Sequence, residues 1–463
     1  MSNERRSGVG EFGDLRRAER GAWIFERIVA TGCLVCRQIG GDRAGEVAVH
    51  RFLSAPEVTR AEIIETLGRR TGEQCRGLRI VAAQDTTEIN FRGRDRGRRG
   101  LGPGGDGKGL GFFIHSAVAI DADTEDMVGL LDAAIWTRPC EGEPAPRRQR
   151  PLEEKESYRW LATAQTVAQR VSGARQLIVV GDRDSDIYPL FARRPAGVEM
   201  VVRAAQDRAL EDGGRLFAQA AAWPILGSYE VKVVPRRPGE QARIARVSLR
   251  AGAIRVKHPR NGVDRDDPPV LNLTLVEARE EAAPPSVEPL HWRLITTLPA
   301  TERAAAQDIV RLYRLRWRSE QTHRAVKNDG FALPDVQLHD ADRLMKLAAL
   351  AIGAAVRTIQ LVDARDGSTR PASDVVDADT LEAAEAIAPT LEGKTARQKN
   401  PHPPRSLAWL AWIMARLGGW NCYYKPPGPK TMRAGWDRFA AMAAGFAVAK
   451  MQVHRSIAAP HEA

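Results

Sequence analysis

Three acidic side chains stand where a chain could assemble metal-assisted phosphate chemistry. Asp85 closes the apolar, branched run LRIVAAQD, and Asp182 closes a second one, QLIVVGD. A short apolar run ending on an acid reads as a buried strand that delivers a carboxylate to the edge of a sheet. Glu320 lies in YRLRWRSEQTHRAVK, within what reads as one long helix from about 302 to 328. Carboxylates at strand ends beside a helix are the hard oxygen donors that a pair of magnesium ions needs, roughly 3.5–4 Å apart, for phosphoryl transfer. Turns also favour Asp, so either strand-end acid by itself could be a simple turn residue.

The helix carries more. At about 100° per residue, Tyr313, Arg316, Glu320 and Lys327 fall on an arc of about 60°, and Arg324 joins that face. A phenol, an acid and three cations then share one stripe. Cations beside a carboxylate suit a ligand bearing both phosphates and metal, such as a DNA backbone at a cleavage point. An intrahelical ion pair between Arg316 and Glu320, spaced i, i+4, is the plainer alternative.

The spacing Tyr, two residues, Arg, three residues, Glu, six residues, Lys closely resembles the signature of bacterial DDE transposases of the IS-four family, the group that includes the Tn-five transposase. Here it is met by Tyr313, Arg316, Glu320 and Lys327. Gln84–Glu88 resembles the context of that family's first Asp, and Asp182–Ile187 the Asp-Arg-x-x-Asp-Ile context of its second. The resemblance implies an α/β fold, namely an RNase H-like catalytic core with a β-rich insertion, flanked by N-terminal and C-terminal helical domains. It implies that Asp85, Asp182 and Glu320 hold two Mg2+ ions, with Mn2+ as an alternative. It further implies that Tyr313, Arg316, Arg324, Lys327 and Arg203 meet DNA, and that Trp292 stacks on a flipped base. A flat indole suits an unstacked base, although Trp292 could equally be a core residue on a strand. Arg324 stands where close relatives commonly have Lys. The implied activity is cut-and-paste transposition. Terminal repeats are cleaved, through a hairpin in the Tn-five type, and the 3′-OH ends are joined to target DNA. An RNase H-like nuclease or resolvase without strand transfer, and a non-catalytic DNA-binding relative, are the competing readings.

The supporting elements follow from the rest of the chain. Residues 1–76 read as helical, with Arg16, Arg17 and Arg20 crowded together as either a solvated face or a DNA contact. Residues 77–335 read as the catalytic domain. They open with three adjacent antiparallel strands, Leu78–Asp85, Phe112–Asp121 and Met127–Thr137, and contain a β-rich subdomain at about 206–289. Residues 336–463 read as a helical region used for dimerisation. Its apolar run Leu407–Leu417, with Trp409 and Trp412, could be interface or ordinary core.

Composition agrees with a nucleic-acid partner. The 463 residues hold 69 basic and 58 acidic side chains, a formal net charge of +11, which favours a polyanion. Leu344–Val356 and Leu407–Ala415 fall short of the roughly 18 apolar residues of a membrane span. The N-terminal MSNERRSGVGEF lacks the apolar core of a secretory leader, and five cysteines do not make a disulfide scaffold. A cytoplasmic protein is expected. Gly102–Lys108 resembles the start of a P-loop, but Gly109 stands where the magnesium-binding hydroxyl belongs. Cys33 and Cys36 lack a second metal-ligand pair, and His115, in an apolar strand, reads as a satisfied core histidine.

Overall fold

The apolar runs fold as strands of a single mixed sheet. The structure, a computed structural model, describes residues 8–93, 97–140, 150–233, 242–260, 266–285, 287–328 and 331–458, the stretch 453–458 by backbone alone. The middle of the Arg/Gly run and most of the Pro/Glu/Arg-rich loop, 94–96 and 141–149, lie outside the described residues.

In chain order the strands are β1 (Arg79–Asn90), β2 (Gly102–Pro103), β3 (Leu110–Asp121), β4 (Met127–Trp136), β5 (Gln176–Gly181), β6 (Val198–Arg203), β7 (Gly227–Val233), β8 (Arg243–Lys257), β9 (Val270–Glu280) and β10 (His291–Thr296). Helices α1 (Leu15–Thr31), α2 (Cys36–Gly40), α3 (Arg43–Ser54) and α4 (Arg60–Gln74) precede β1. Between strands lie α5 (Tyr158–Arg170), α6 (Tyr188–Ala192) and α7 (Leu216–Ala222). After β10 come α8 (Arg303–Arg314), α9 (Trp317–Lys327), α10 (Ala341–Ala364), α11 (Ala378–Leu391), α12 (Leu407–Leu417) and α13 (Pro429–Ala458).

The sheet order is β2-β3-β1-β5-β6-β10-β9-β8-β7, and β4 shares the outer edge of β3 with β2. The expected antiparallel trio is β1, β3 and β4. Parallel pairing then joins β1 to β5 and β5 to β6. This mixed α/β arrangement is consistent with an RNase H-like core.

Three expectations need correction. First, β1 does not stop at Asp85. It continues to Asn90 against β3, while its parallel pairing with β5 ends at Ala83↔Val180. Asp85 therefore lies just beyond the last pair between β1 and β5, within the strand and not at its end. Second, the β-rich insertion is not a separate subdomain, because β7, β8 and β9 extend the catalytic sheet through β10 and β6. Within it, Arg243–Lys257 is one continuous strand, β8. Third, the long helix is two helices. Amides of Leu315, Arg316, Arg318 and Ser319 bond three residues back instead of four, a 3₁₀ turn that tightens the joint between α8 and α9.

The N-terminal and C-terminal helices share one core. Both α4 and α10 pack on β4, and α1 packs on α10 and α13. A Cβ on Gly353 of α10 would fall 2.7 Å from Leu67 and 3.2 Å from Phe25, so a larger residue there would have to push those side chains aside. Lys346, almost fully buried in α10, donates to the carbonyls of Leu53 and Ala55 at 3.3 and 3.0 Å. By length and apolarity α10 could cross a membrane, contrary to the expectation for Leu344–Val356, but 78% of its most apolar window is buried inside the chain. The run Leu407–Leu417 is likewise core, with Trp409 and Trp412 both buried.

Candidate active site

Each candidate acid is placed by a different local device. Asp85 is buried on β1, where its Oδ1 accepts the Thr86 N–H at 3.0 Å. Asp182 follows β5 and caps the 3₁₀ turn Arg183–Ser185, accepting the Asp184 N–H at 2.9 Å. Glu320 sits in the first turn of α9, where a negative charge favours the helix dipole. That helix is pinned to β1 by Ser319, whose buried hydroxyl donates to the Ala83 carbonyl at 3.0 Å.

Arg316 joins two of these acids. One guanidinium nitrogen lies 3.2 Å from Asp85 Oδ2, and the other bonds Glu320 Oε1. The i, i+4 pair therefore exists, yet it is part of a link from α9 to the sheet. Burial, then the charges of Asp182 and Glu320, push Asp85 up to about 7, while Arg316 opposes the rise. Burial also raises Asp182, with Arg316 and Arg159 pulling the other way. The charges of Asp182 and Glu320 are thus both felt at Asp85, alongside the opposing charge of Arg316.

The other candidates spread outward from it. Tyr313 is buried, its ring 5.9 Å from the Arg316 guanidinium carbon and 6.4 Å from the Trp292 ring. Trp292 is also buried, on β10, so in this arrangement its indole packs in the core. Lys327 has its pKa lowered by burial, against the opposing charges of Glu88 and Asp85. Arg324 is exposed on α9. Arg203 ends β6 and donates to the His291 carbonyl at 3.1 Å, one residue from Trp292. The second acid of the Asp-Arg-x-x-Asp motif, Asp186, is fully buried and ties the chain after β6 in place. It accepts from the Ala205 and Gln206 amides and pairs with Arg208 at 2.5 Å.

Sequence reasoning missed Arg159 and His323. Arg159, on α5, donates to Thr86 Oγ1 at 3.0 Å, and its charge faces Asp182 and Asp184. A basic residue in KESYRW at the opening of a helix that packs on the sheet was the available signal. His323 lies inside the Tyr-Arg-Glu-Lys stretch, 3.7 Å from Asp85 Oδ2, and burial lowers its pKa to about 3. His115 is the satisfied core histidine expected, between Thr86 Oγ1 at 2.8 Å and the Gln84 amide at 3.2 Å.

Residues 157–357 match the family model of the transposase DDE domain. The match supports a transposase, hence a metal-dependent enzyme that cleaves DNA. It spans Asp182 and Glu320 and begins after Asp85.

The donors fit such a metal in kind. They are carboxylates, and burial, with the charges of Asp182 and Glu320 adding to it, leaves Asp85 with a raised pKa. In this arrangement the Arg316 guanidinium lies between Asp85 and Glu320, and among the described residues no three His, Cys, Asp or Glu side chains are gathered closely enough to hold an ion. Metal binding at these acids therefore requires Arg316 to release them. It also requires Asp85 to be ionised. Below about pH 7 the protonated form dominates, so a cation must displace a proton. Affinity should then weaken by about tenfold for each pH unit below 7 and level off above it. Mn2+ titrations of the DNA-free protein near pH 6, 7 and 8 check this, and an unchanged affinity would contradict it.

Proposed function

We propose that this chain is a cut-and-paste transposase of the IS-four type, similar to the Tn-five transposase. It cleaves the terminal repeats of its element, by way of a hairpin, and joins the 3′-OH ends to target DNA. The observation that supports the reading is Arg316, which pairs with both Asp85 on β1 and Glu320 on α9, while the charge of Asp182, just after β5, is felt at Asp85.

In this reading Asp85, Asp182 and Glu320 hold two Mg2+ ions. The metal pair, when bound, activates the attacking oxygen and stabilises the leaving one. Arg316 exchanges carboxylate partners for a DNA phosphate, a planar bidentate contact suited to guanidinium. Tyr313, Arg324, Lys327 and Arg203 line the path of the backbone. Trp292 must be uncovered from the core before it can stack on a base, whereas Trp317, 41% exposed beside Arg316, already presents an indole. Residues 1–76 recognise the repeats, 77–335 do the chemistry, and 336–463 pair two protomers. The exposed apolar residues Met442, Val448 and Met451 on α13 support that last role. A cytoplasmic protein acting on nucleoid DNA is the matching location.

The test incubates the protein with Mg2+ and DNA bearing the element's terminal repeats. Nicks, hairpins and joined products are expected. Nicks without joined products would favour a nuclease, and binding without any cleavage would favour a non-catalytic relative.

A further inference from the structure

Asp85 and Ser116 are direct partners across the β1–β3 ladder, so their side chains leave the sheet on the same face. Helix α9 covers that face and places His323 against both. Ser116 is fully buried, and its Oγ lies 2.8 Å from His323 Nε2. His323 Nδ1 lies 3.7 Å from Asp85 Oδ2. Where the Ser116 hydroxyl donates to Nε2, the single proton of a neutral imidazole sits on Nδ1, facing the carboxylate from just beyond hydrogen-bond distance. The other carboxylate oxygen is already held by the Thr86 amide. His323 and Thr86 thus flank Asp85 on opposite oxygens, with Arg316 sharing the Oδ2 side.

We infer that His323, oriented by Ser116, is a positioning residue for Asp85, keeping its carboxylate aimed when Arg316 lets go. The inference rests on reading Asp85 as part of a carboxylate metal site. Docking of α9 is a separate matter, since Ser319 fastens the helix to Ala83 by its own hydrogen bond. A group that orients a ligand without touching the ion characteristically changes metal affinity by about 10–100-fold when removed.

The experiment uses the full-length protein, Mn2+ as a spectroscopic probe read by electron paramagnetic resonance, and thermal melting. His323→Leu should weaken Mn2+ binding by about 10–100-fold. His323→Asn, whose amide reaches the place of Nδ1, should recover most of that loss, and Ser116→Ala should fall between. Single-turnover nicking of repeat DNA should follow the same order, with DNA affinity unchanged. Wild-type Mn2+ binding by His323→Leu, while Asp85→Ala has lost it, would overturn the inference alone. Equal losses in the Leu and Asn variants, tracking their melting temperatures, would also overturn it, because they would mark a packing role. Unchanged Mn2+ binding by Asp85→Ala would overturn both the inference and the carboxylate-site reading beneath it.

Discussion

Replacing Asp85, Asp182 or Glu320 with Ala is expected to stop cleavage of repeat-bearing DNA while leaving DNA binding largely intact. Removing a single preorganised electrostatic group commonly costs about 10²–10³-fold in rate, and a lost ligand of a metal pair should cost at least that much. None of the three changes should unfold the chain. Asp85→Ala removes a buried carboxylate that already resists ionisation. Asp182→Ala removes one cap from a short 3₁₀ turn. Glu320→Ala leaves Arg316 paired with Asp85. Binding should survive because affinity for DNA is drawn mostly from cations. Single-turnover nicking, mobility shift and melting temperature, measured on all three, decide the matter. Wild-type nicking by any variant would remove that residue from the proposed site.

Deleting residues 1–76 is expected to prevent folding, and not simply to erase end recognition. Phe25, Ile28, Phe52 and Leu67 are buried, and Phe25 and Leu67 lie against Gly353 of α10. A fully buried side chain of this kind contributes roughly 1.5–3 kcal/mol, against a total stability of about 5–15 kcal/mol for a typical domain. The deletion would also strip cover from β4, on which α4 packs. A cooperative melt of the truncated chain near the wild-type temperature would show that the first helices are a separate body. Recognition of the repeats is therefore better tested by Arg16→Ala with Arg20→Ala, both on the exposed side of α1. Arg17 is less suited, being occupied by Glu57 and the Phe12 carbonyl. Each lost phosphate contact should flatten the dependence of log affinity on log salt by about 0.9.

What the sequence disclosed depended on how local the cause was. Strands buried on both faces, such as β3 and β5, announce themselves as apolar runs. The overrun of β1 past Asp85 was also written there. Thr86, Glu88 and Asn90 alternate with buried Thr87 and Ile89, the period of a strand with one wet face. The continuity of β8 was hidden, because RAGA at 250–253 reads as a turn. Gly252 is instead a close approach, since a Cβ there would fall 2.6 Å from the Trp223 ring. The joint at Leu315 could not be seen at all, since neither Leu nor Arg breaks helices. It arises where α9 is drawn to β1 through Ser319, a tertiary cause. The acids and Arg316 were legible by type and spacing. That Arg316 would bridge two of the acids depended on distances only a fold supplies.

Because β7, β8 and β9 continue the same hydrogen-bonded sheet that carries Asp85, the described strands between β6 and α8 are tied to one another and leave no hinge among them on which to swing as a flap. Bending it away from the acids would mean parting β10 from β6, whose paired residues include Arg203 and Leu294. It is a fixed wall. A DNA end must therefore be admitted by motion elsewhere, and amide exchange in β6, β9 and β10 should slow and quicken together.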